Sequence, residues 1–234
     1  MPNSVIDHLV VTSSSLAVGV EYVEEVLRCK MQPGGQHPRM GTHNALLRLG
    51  DKCYLEVIAI DPDAAPPQRP RWFELDSLSL NSPPRLAGWV MRTNEIESVA
   101  RLRSLDTGCI EEMSRGTLEW QITIPADGRF VCDGIAPSVI QWKGETHPAS
   151  RLPESDVSLI GLEAQHPDAQ RINAWLSSAG FEGSLSIQSP LDNATIELTA
   201  LLQTRQGRRS IPMKLKPRVR AFDRASSYSL RDHD

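Results

Sequence analysis

The chain is predicted to be an α+β protein made of repeated β-α-β-β-β units, which form a curved mixed sheet with a central cleft and helices outside. Three observations predict this. Short β-branched runs are separated by single segments with apolar residues at helical spacing. The order strand, helix, irregular piece, strand, strand in residues 1–60 recurs in residues 85–152, after a proline-rich stretch. One such unit cannot bury its sheet face alone, whereas two side by side can.

The elements follow in order. Residues 5–12 (VIDHLVVT) read as a strand, and residues 13–15, all three serine, supply a helix cap. Residues 16–28 carry Val20, Val23, Val26 and Leu27 on one helical face. Pro33, Gly34 and Gly35 break the chain, and strands are expected at 43–49 and 54–60 around a tight hairpin. Residues 61–84 are rich in proline and read as a linker wrapping the surface, with Trp72 and Phe73 as its packed anchor. The second unit spans 85–152. Its strands are expected at 88–92, 110–113, 119–124 and 138–142, and its helix at 95–105. A partial third pass covers 153–216, with a strand at 156–164, a helix at 169–179 ended by Gly180, and further strands at 184–187 and 195–204. The basic residues from Arg205 onward suggest a last edge strand, followed by a flexible tail at 217–234.

Composition narrows the function. The 234 residues hold 25 basic and 29 acidic side chains, a formal net charge of -4, so nucleic acid is not an expected partner. No apolar run approaches a membrane span, and no basic-then-apolar leader opens the chain, so a cytoplasmic protein without membrane contact is expected. The four cysteines form no C-x-x-C pair and read as reduced thiols. Glycine patterns for phosphate or dinucleotide loops and the serine-hydrolase elbow are lacking.

The candidate site rests on ionisable residues inside apolar strands. His8 shares strand parity with Ile6 and Val10, Glu56 with Tyr54 and Ile58, and His43 with Ala45 and Leu47. A buried imidazole or carboxylate needs a partner. Either His8, His43 and Glu56 hold a divalent metal, or His8 and Glu56 form a metal-free hydrogen-bonded pair. Oxygen and nitrogen ligands without thiolate suit manganese, iron, nickel, zinc or magnesium. Trp89 and Trp120 are placed either to stack on a planar ligand or to pack in the core. Trp142, of opposite parity to Gln141, is expected to pack, and His147 and His166 to lie in loops.

Residues 6–11 (IDHLVV), 41–47 (GTHNALL), 54–59 (YLEVIA), 140–142 (IQW) and His147-Pro148, in that order, resemble the glyoxalase-like domain of the vicinal-oxygen-chelate superfamily over about residues 4–180. The resemblance implies a cleft metal held by a first-strand histidine and a last-strand carboxylate in each half. The second half departs from this pattern: in the alignment that sets Gly88-Trp89-Val90 on Asp7-His8-Leu9, Trp89 and Gln141 fall at the ligand positions. Two functions remain open. The first is a metal-assisted lyase, isomerase or dioxygenase-type enzyme on a small organic molecule, with His8, His43 and Glu56 at the metal, Glu56 as base, and Trp89, Trp120 and Gln141 on the substrate. The second is a metal-free small-molecule binding protein of the drug-resistance type. A homodimer through edge strands is the expected assembly.

Overall fold

A computed structural model of the chain describes residues 2–213 except 145 and 193. The flexible tail expected at 217–234 lies outside the described residues. Twelve strands and three helices follow one another: β1 (Ser4–Thr12), α1 (Leu16–Leu27), β2 (Gln32–His37), β3 (Thr42–Gly50), β4 (Cys53–Ile60), β5 (Arg85–Thr93), α2 (Ile96–Ala100), β6 (Cys109–Arg115), β7 (Leu118–Ile124), β8 (Ser138–Lys143), β9 (Ser158–Gln165), α3 (Ala169–Ser178), β10 (Leu185–Gln188), β11 (Glu197–Thr204) and β12 (Gly207–Pro212).

The first eight strands form one sheet in the order β2-β3-β4-β1-β5-β8-β7-β6. Read outward from the central β1/β5 pair, each half has the same plan: first strand, then fourth, third and second. β1 runs parallel to β4 and β5 parallel to β8, and every other neighbour is antiparallel. The sheet is therefore mixed and curled, with a pseudo-twofold axis between β1 and β5. The helix-side face carries Leu9, Val11, Leu55, Val57, Trp89 and Met91, all fully or almost fully buried. The concave face has its own apolar layer, including Val10, Ile58, Val90, Trp120, Ile122 and Ile140. Burial of two apolar layers on opposite faces explains why β1, β4 and β5 read as nearly continuous hydrophobic runs.

The structure revises four expectations. First, the Pro33-Gly34-Gly35 stretch is strand β2 at the sheet edge, where a missing N–H is tolerated. Its glycines are required sterically: a Cβ on Gly34 would sit 2.0 Å from Asn44 Oδ1, and one on Gly35 2.8 Å from Arg115 Cδ. Second, α2 is one short helix with no cap from its own N-terminal side chain. Gln141 Oε1, on β8, accepts from Ile96 N instead (2.8 Å). Third, Trp72 and Phe73 anchor the proline-rich linker by packing as expected, but they do so on a short 3-10 turn, Trp72–Ser77, where extended chain was expected. Phe73 and Glu74 adopt left-handed φ values of 58° and 56°, which seat Trp72, Phe73 and Leu75 against the concave layer. Phe73 stacks on Phe130 with ring centroids 5.2 Å apart.

Fourth, residues 158–212 do not repeat the topology of the first two units. They form a separate four-stranded sheet, β10-β9-β11-β12, with β10 parallel to β9. Leu198, Ala200, Leu202 and Ile211 join the helix-side core, and Phe181 packs edge-on against Trp89 at 5.3 Å. The attachment to β1 is also polar: Ser4 Oγ donates to Ala179 O at 2.7 Å.

Candidate active site

Alternation in β1 is interrupted at one residue. Ile6 pairs with Met91 and His8 with Val90, the adjacent position of β5, so Asp7 is the extra residue of a β-bulge. The bulge brings the Asp7 carboxylate to the side on which His8, Trp142 and His147 lie. His8 Nδ1–H donates to Asp7 Oδ1 (2.7 Å). On the other oxygen, Oδ2 accepts from Trp142 Nε1 (3.0 Å), His147 Nε2 (3.0 Å) and Arg92 Nη1 (3.3 Å). Asp7 is fully buried, which alone would raise its pKa. Hydrogen bonds from His147 and His8, and their charges, outweigh burial and hold it well below the usual 3.8. His147 Nδ1 accepts from Ala149 N (3.2 Å), which fixes its N–H on Nε2, facing Asp7.

The far nitrogen of His8 faces Glu56: Nε2 and Oε2 are 3.6 Å apart. Glu56 stands on β4 beside Val10 of β1 and Leu46 of β3. Asn44 Nδ2 donates to its other oxygen, Oε1, at 2.5 Å. Asn44 Oδ1 in turn accepts from Gly35 N (2.8 Å) and Arg115 Nη1 (3.0 Å). Arg115 Nη1 also reaches His37 Nε2 (3.3 Å), whose Nδ1 lies 3.2 Å from Thr42 Oγ1. Burial first, then the Arg115 charge, depress the His37 pKa to about 3, so this ring is neutral at ordinary pH. A file of polar groups thus runs from Arg115 through Asn44, Glu56, His8 and Asp7 to His147.

His8, His37, Asn44, Glu56 and Arg115 line a cavity of about 20 Å³, enough for one water-sized group. Its walls include Tyr54, Trp72, Trp120, Ile122, Ile140 and Trp142. Tyr54 stacks on His8 with centroids 4.5 Å apart and an interplanar angle of 15°, and its burial raises the phenol pKa well above 10.0. Outside the cavity, a groove of about 540 Å³ shares His37, Arg115 and Trp120 with it.

The residues expected from sequence are distributed as follows. His8, Glu56 and Trp120 meet at the cavity. His43 does not: it shares its face of β3 with Ala45, Leu47 and Leu49, which pack in the helix-side core, while Asn44 takes the cavity side. Trp89 lies in the helix-side core, fully buried, with its indole N–H on Ile135 O (3.0 Å). Gln141 is spent on the α2 N-terminus, and Trp142, expected only to pack, lines the cavity. Asp7, His37, Asn44 and Arg115 were missed. The bulge hid Asp7, the glycines of β2 hid that strand, and Arg115 ends a strand with little apolar signal. The signal that points to Asn44 is its parity with Thr42 and Leu46, opposite to His43.

The metal implied by the resemblance can be tested on these residues. The two helices start at Leu16 and Ile96, and β1 and β5 each carry one extra residue in their pairing, Asp7 and Ala87, so the pseudo-twofold axis passes through the Leu9–Trp89 pair and sets Gly88 at the position equivalent to His8. Glu56 pairs with Val10, two residues after His8, and Ser138 pairs with Val90, two residues after Gly88, so Ser138 is equivalent to Glu56. Register therefore assigns Gly88 and Ser138, not Trp89 and Gln141, to the second-half ligand positions, and neither carries an imidazole or a carboxylate. Among the described residues, no three of His, Cys, Asp and Glu gather as a metal would require. The Arg115 cation, tied to Asn44 beside Glu56, further opposes a second cation. The residues do not fit a divalent metal.

Comparison with known proteins agrees with the fold. A hypothetical protein from Staphylococcus aureus is similar at 15% identity and a TM-score of 0.55, covering 80% of this chain and 86% of its own. A Streptomyces coelicolor methylmalonyl-CoA epimerase variant in complex with 2-nitronate-propionyl-CoA is 17% identical, with a TM-score of 0.41 over 61% of this chain and 97% of its own. The methylmalonyl-CoA epimerase of Mycobacterium tuberculosis is 17% identical, with a TM-score of 0.39 over 60% and 88%. No curated protein matches the sequence. The profile of the glyoxalase-like domain matches residues 6–180, and with the paired β-α-β-β-β units described above it follows that the chain belongs to the glyoxalase-like domain family of the vicinal-oxygen-chelate superfamily.

Proposed function

We propose that this protein is a proton-transfer enzyme, an isomerase or lyase, acting on a small carbonyl compound. The observation that carries the reading is the file Asp7–His8–Glu56, of which His8 and Glu56 line an aromatic cavity and Asp7 stands behind His8. The Asp7 carboxylate accepts the His8 Nδ1–H and so leaves the Nε2 lone pair toward Glu56 and the cavity. An imidazole held in this tautomer by a buried carboxylate is a base whose protonated form is stabilised in place. In this reading, His8 takes a proton from the carbon next to a carbonyl, and Asp7 balances the imidazolium charge. Glu56, oriented by Asn44, exchanges a proton with the adjacent carbon or oxygen. Trp120 and Trp142 exclude water around the reacting carbon.

The test is solvent deuterium exchange into the α-carbon of small 2-oxo acids, hydroxyketones and acyl thioesters, followed by proton NMR. The expected result is exchange by the wild type and a fall of about 10²- to 10⁴-fold in His8→Asn and Glu56→Gln. Overnight dialysis against a chelator is expected to leave the wild-type rate unchanged. Exchange that survives both substitutions, or that vanishes with the chelator, overturns the reading.

The aromatic lining favours one second reading, a metal-free binding protein that sequesters a planar compound against Trp120 and Trp142. Ligand-induced stabilisation without exchange in any compound would select it.

A further inference from the structure

Among the described residues, Arg115 is a cation without a counterion. It is half-buried and makes no ion pair among the described residues, although most of the described arginines do. Its protein partners are two neutral acceptors, Asn44 Oδ1 and His37 Nε2, both reached from Nη1. A guanidinium has five N–H donors in a planar fork matched to a carboxylate, so Arg115 keeps most of its donor capacity. The residue stands where the cavity meets the outer groove and lines both. Gly35 accommodates its aliphatic stem, because any Cβ there would press on Cδ.

A second donor waits in the same wall. Trp72 is buried, lines the cavity, and its indole N–H has no partner among the described residues. An unsatisfied buried N–H is unfavourable, and an anion between it and Arg115 would satisfy both. Nearby negative charge does not neutralise Arg115: Glu56 is reached through Asn44, and Glu112 in the groove is occupied by Lys143 at 2.5 Å.

We infer that Arg115, with the Trp72 indole N–H, is the carboxylate anchor of this site, so that the substrate is a small carboxylic acid whose reacting carbon lies inward of its carboxylate, toward His8 and Glu56. The inference rests on the proton-transfer reading above and adds a substrate class to it. Arg115 is a binding and specificity residue; no bond changes at it.

The experiment compares pyruvate, 2-oxobutyrate and 2-oxoglutarate with their matched primary amides, by calorimetric binding and by deuterium exchange on the intact chain. The expected result is that the acids bind and the amides bind at least tenfold more weakly. In Arg115→Met acid affinity is expected to fall roughly 10- to 100-fold, with Arg115→Lys intermediate and Trp72→Phe showing a smaller loss. Thermal midpoints of the variants check folding, and Arg115→Lys keeps the charge should Arg115→Met fold poorly. Equal binding of acids and amides, or an unchanged preference in Arg115→Met, overturns the inference. The two readings fail differently. Acids bound through Arg115 without exchange would remove the catalytic reading and leave the anchor, whereas exchange on acids and amides alike would remove the anchor and leave the catalysis.

Discussion

His37 is almost fully buried beside Arg115 and close enough to His8 and His43 to feel their charges, and its pKa falls to about 3 from an ordinary 6.5. Between those values the unfolded chain binds a proton that the folded chain refuses, so stability falls as the pH drops from about 6.5 toward 3. The slope is at most about 1.4 kcal/mol per pH unit for one group. His166, depressed by burial in the same direction, adds to the wild-type slope. Urea unfolding of wild type and His37→Gln from pH 7 to 4 isolates the His37 share. The expected result is a flatter profile for the variant; parallel curves would mean that His37 is protonated in the fold. At this scale the sequence was partly readable. Parity held from His8 to Val10 and along β4 at Glu56, where the two strands pair regularly, but the expected parity of His8 with Ile6 failed, because the bulge leaves Ile6 against the helix-side core. It failed for Asp7, since a bulge is a departure from alternation and nothing in IDHLVV marks it. It also failed for Trp89 and Gln141, which are out of register with the true equivalents, Gly88 and Ser138.

Strand β2 shows how an edge element without an apolar side positions a site. Its glycines let Asn44 and Arg115 close on it, and Asn44 is the link between Arg115 and Glu56. Gly34→Ala would drive a methyl group into Asn44 Oδ1 and its carbonyl oxygen. The expected outcome is a loss of about 1–3 kcal/mol of stability, with exchange activity reduced together with it. Gly50→Ala is the matched control, because its nearest neighbour, Cys53 Cβ, is 3.9 Å away. Stability by urea titration and exchange by NMR read the two effects; a Gly34→Ala protein as active as the Gly50→Ala protein would mean that Asn44 does not position Glu56. Elements with strong periodicity, such as α1 and β3, were legible within a residue or two. β2 was not, because its fold comes from backbone pairing with β3 and from what packs over its glycines, neither of which is written as hydrophobic pattern.

At the scale of the molecule the two β-α-β-β-β units do not form a self-sufficient body. The core on their helix side runs without a break into residues 157–213, through Val157, Leu162, Trp175, Leu198 and Met213. Trp89 and Phe181 meet across that boundary, and Gly134 packs under Met213. A chain ended after Pro153 would expose this surface, and the expected outcome is insoluble protein or a collapsed state without near-ultraviolet circular dichroism. A soluble, cooperatively unfolding fragment would show that the last sheet is an accessory. The internal repeat made the paired units legible. The different topology of the last sheet was not, because the strand-helix-strand order of residues 156–187 is shared by both arrangements and only the pairing separates them, with β9 lying between a parallel β10 and an antiparallel β11. Among the described residues no helix is long and apolar enough to cross a membrane.

The bulge at Asp7 sets which genetic changes the site tolerates. Substitutions along β1 alter one side chain at a time and leave every other residue on its own face. Losing a single residue at the bulge would instead restore perfect alternation, a more regular sheet by any local measure, and would remove the carboxylate that holds His8, Trp142 and His147 together. The lesion most damaging to this site is therefore one that makes its backbone more ideal. Across relatives that keep the same use of His8, the spacing between the strand's start and the histidine should be more constrained than the identity of the residues that fill it.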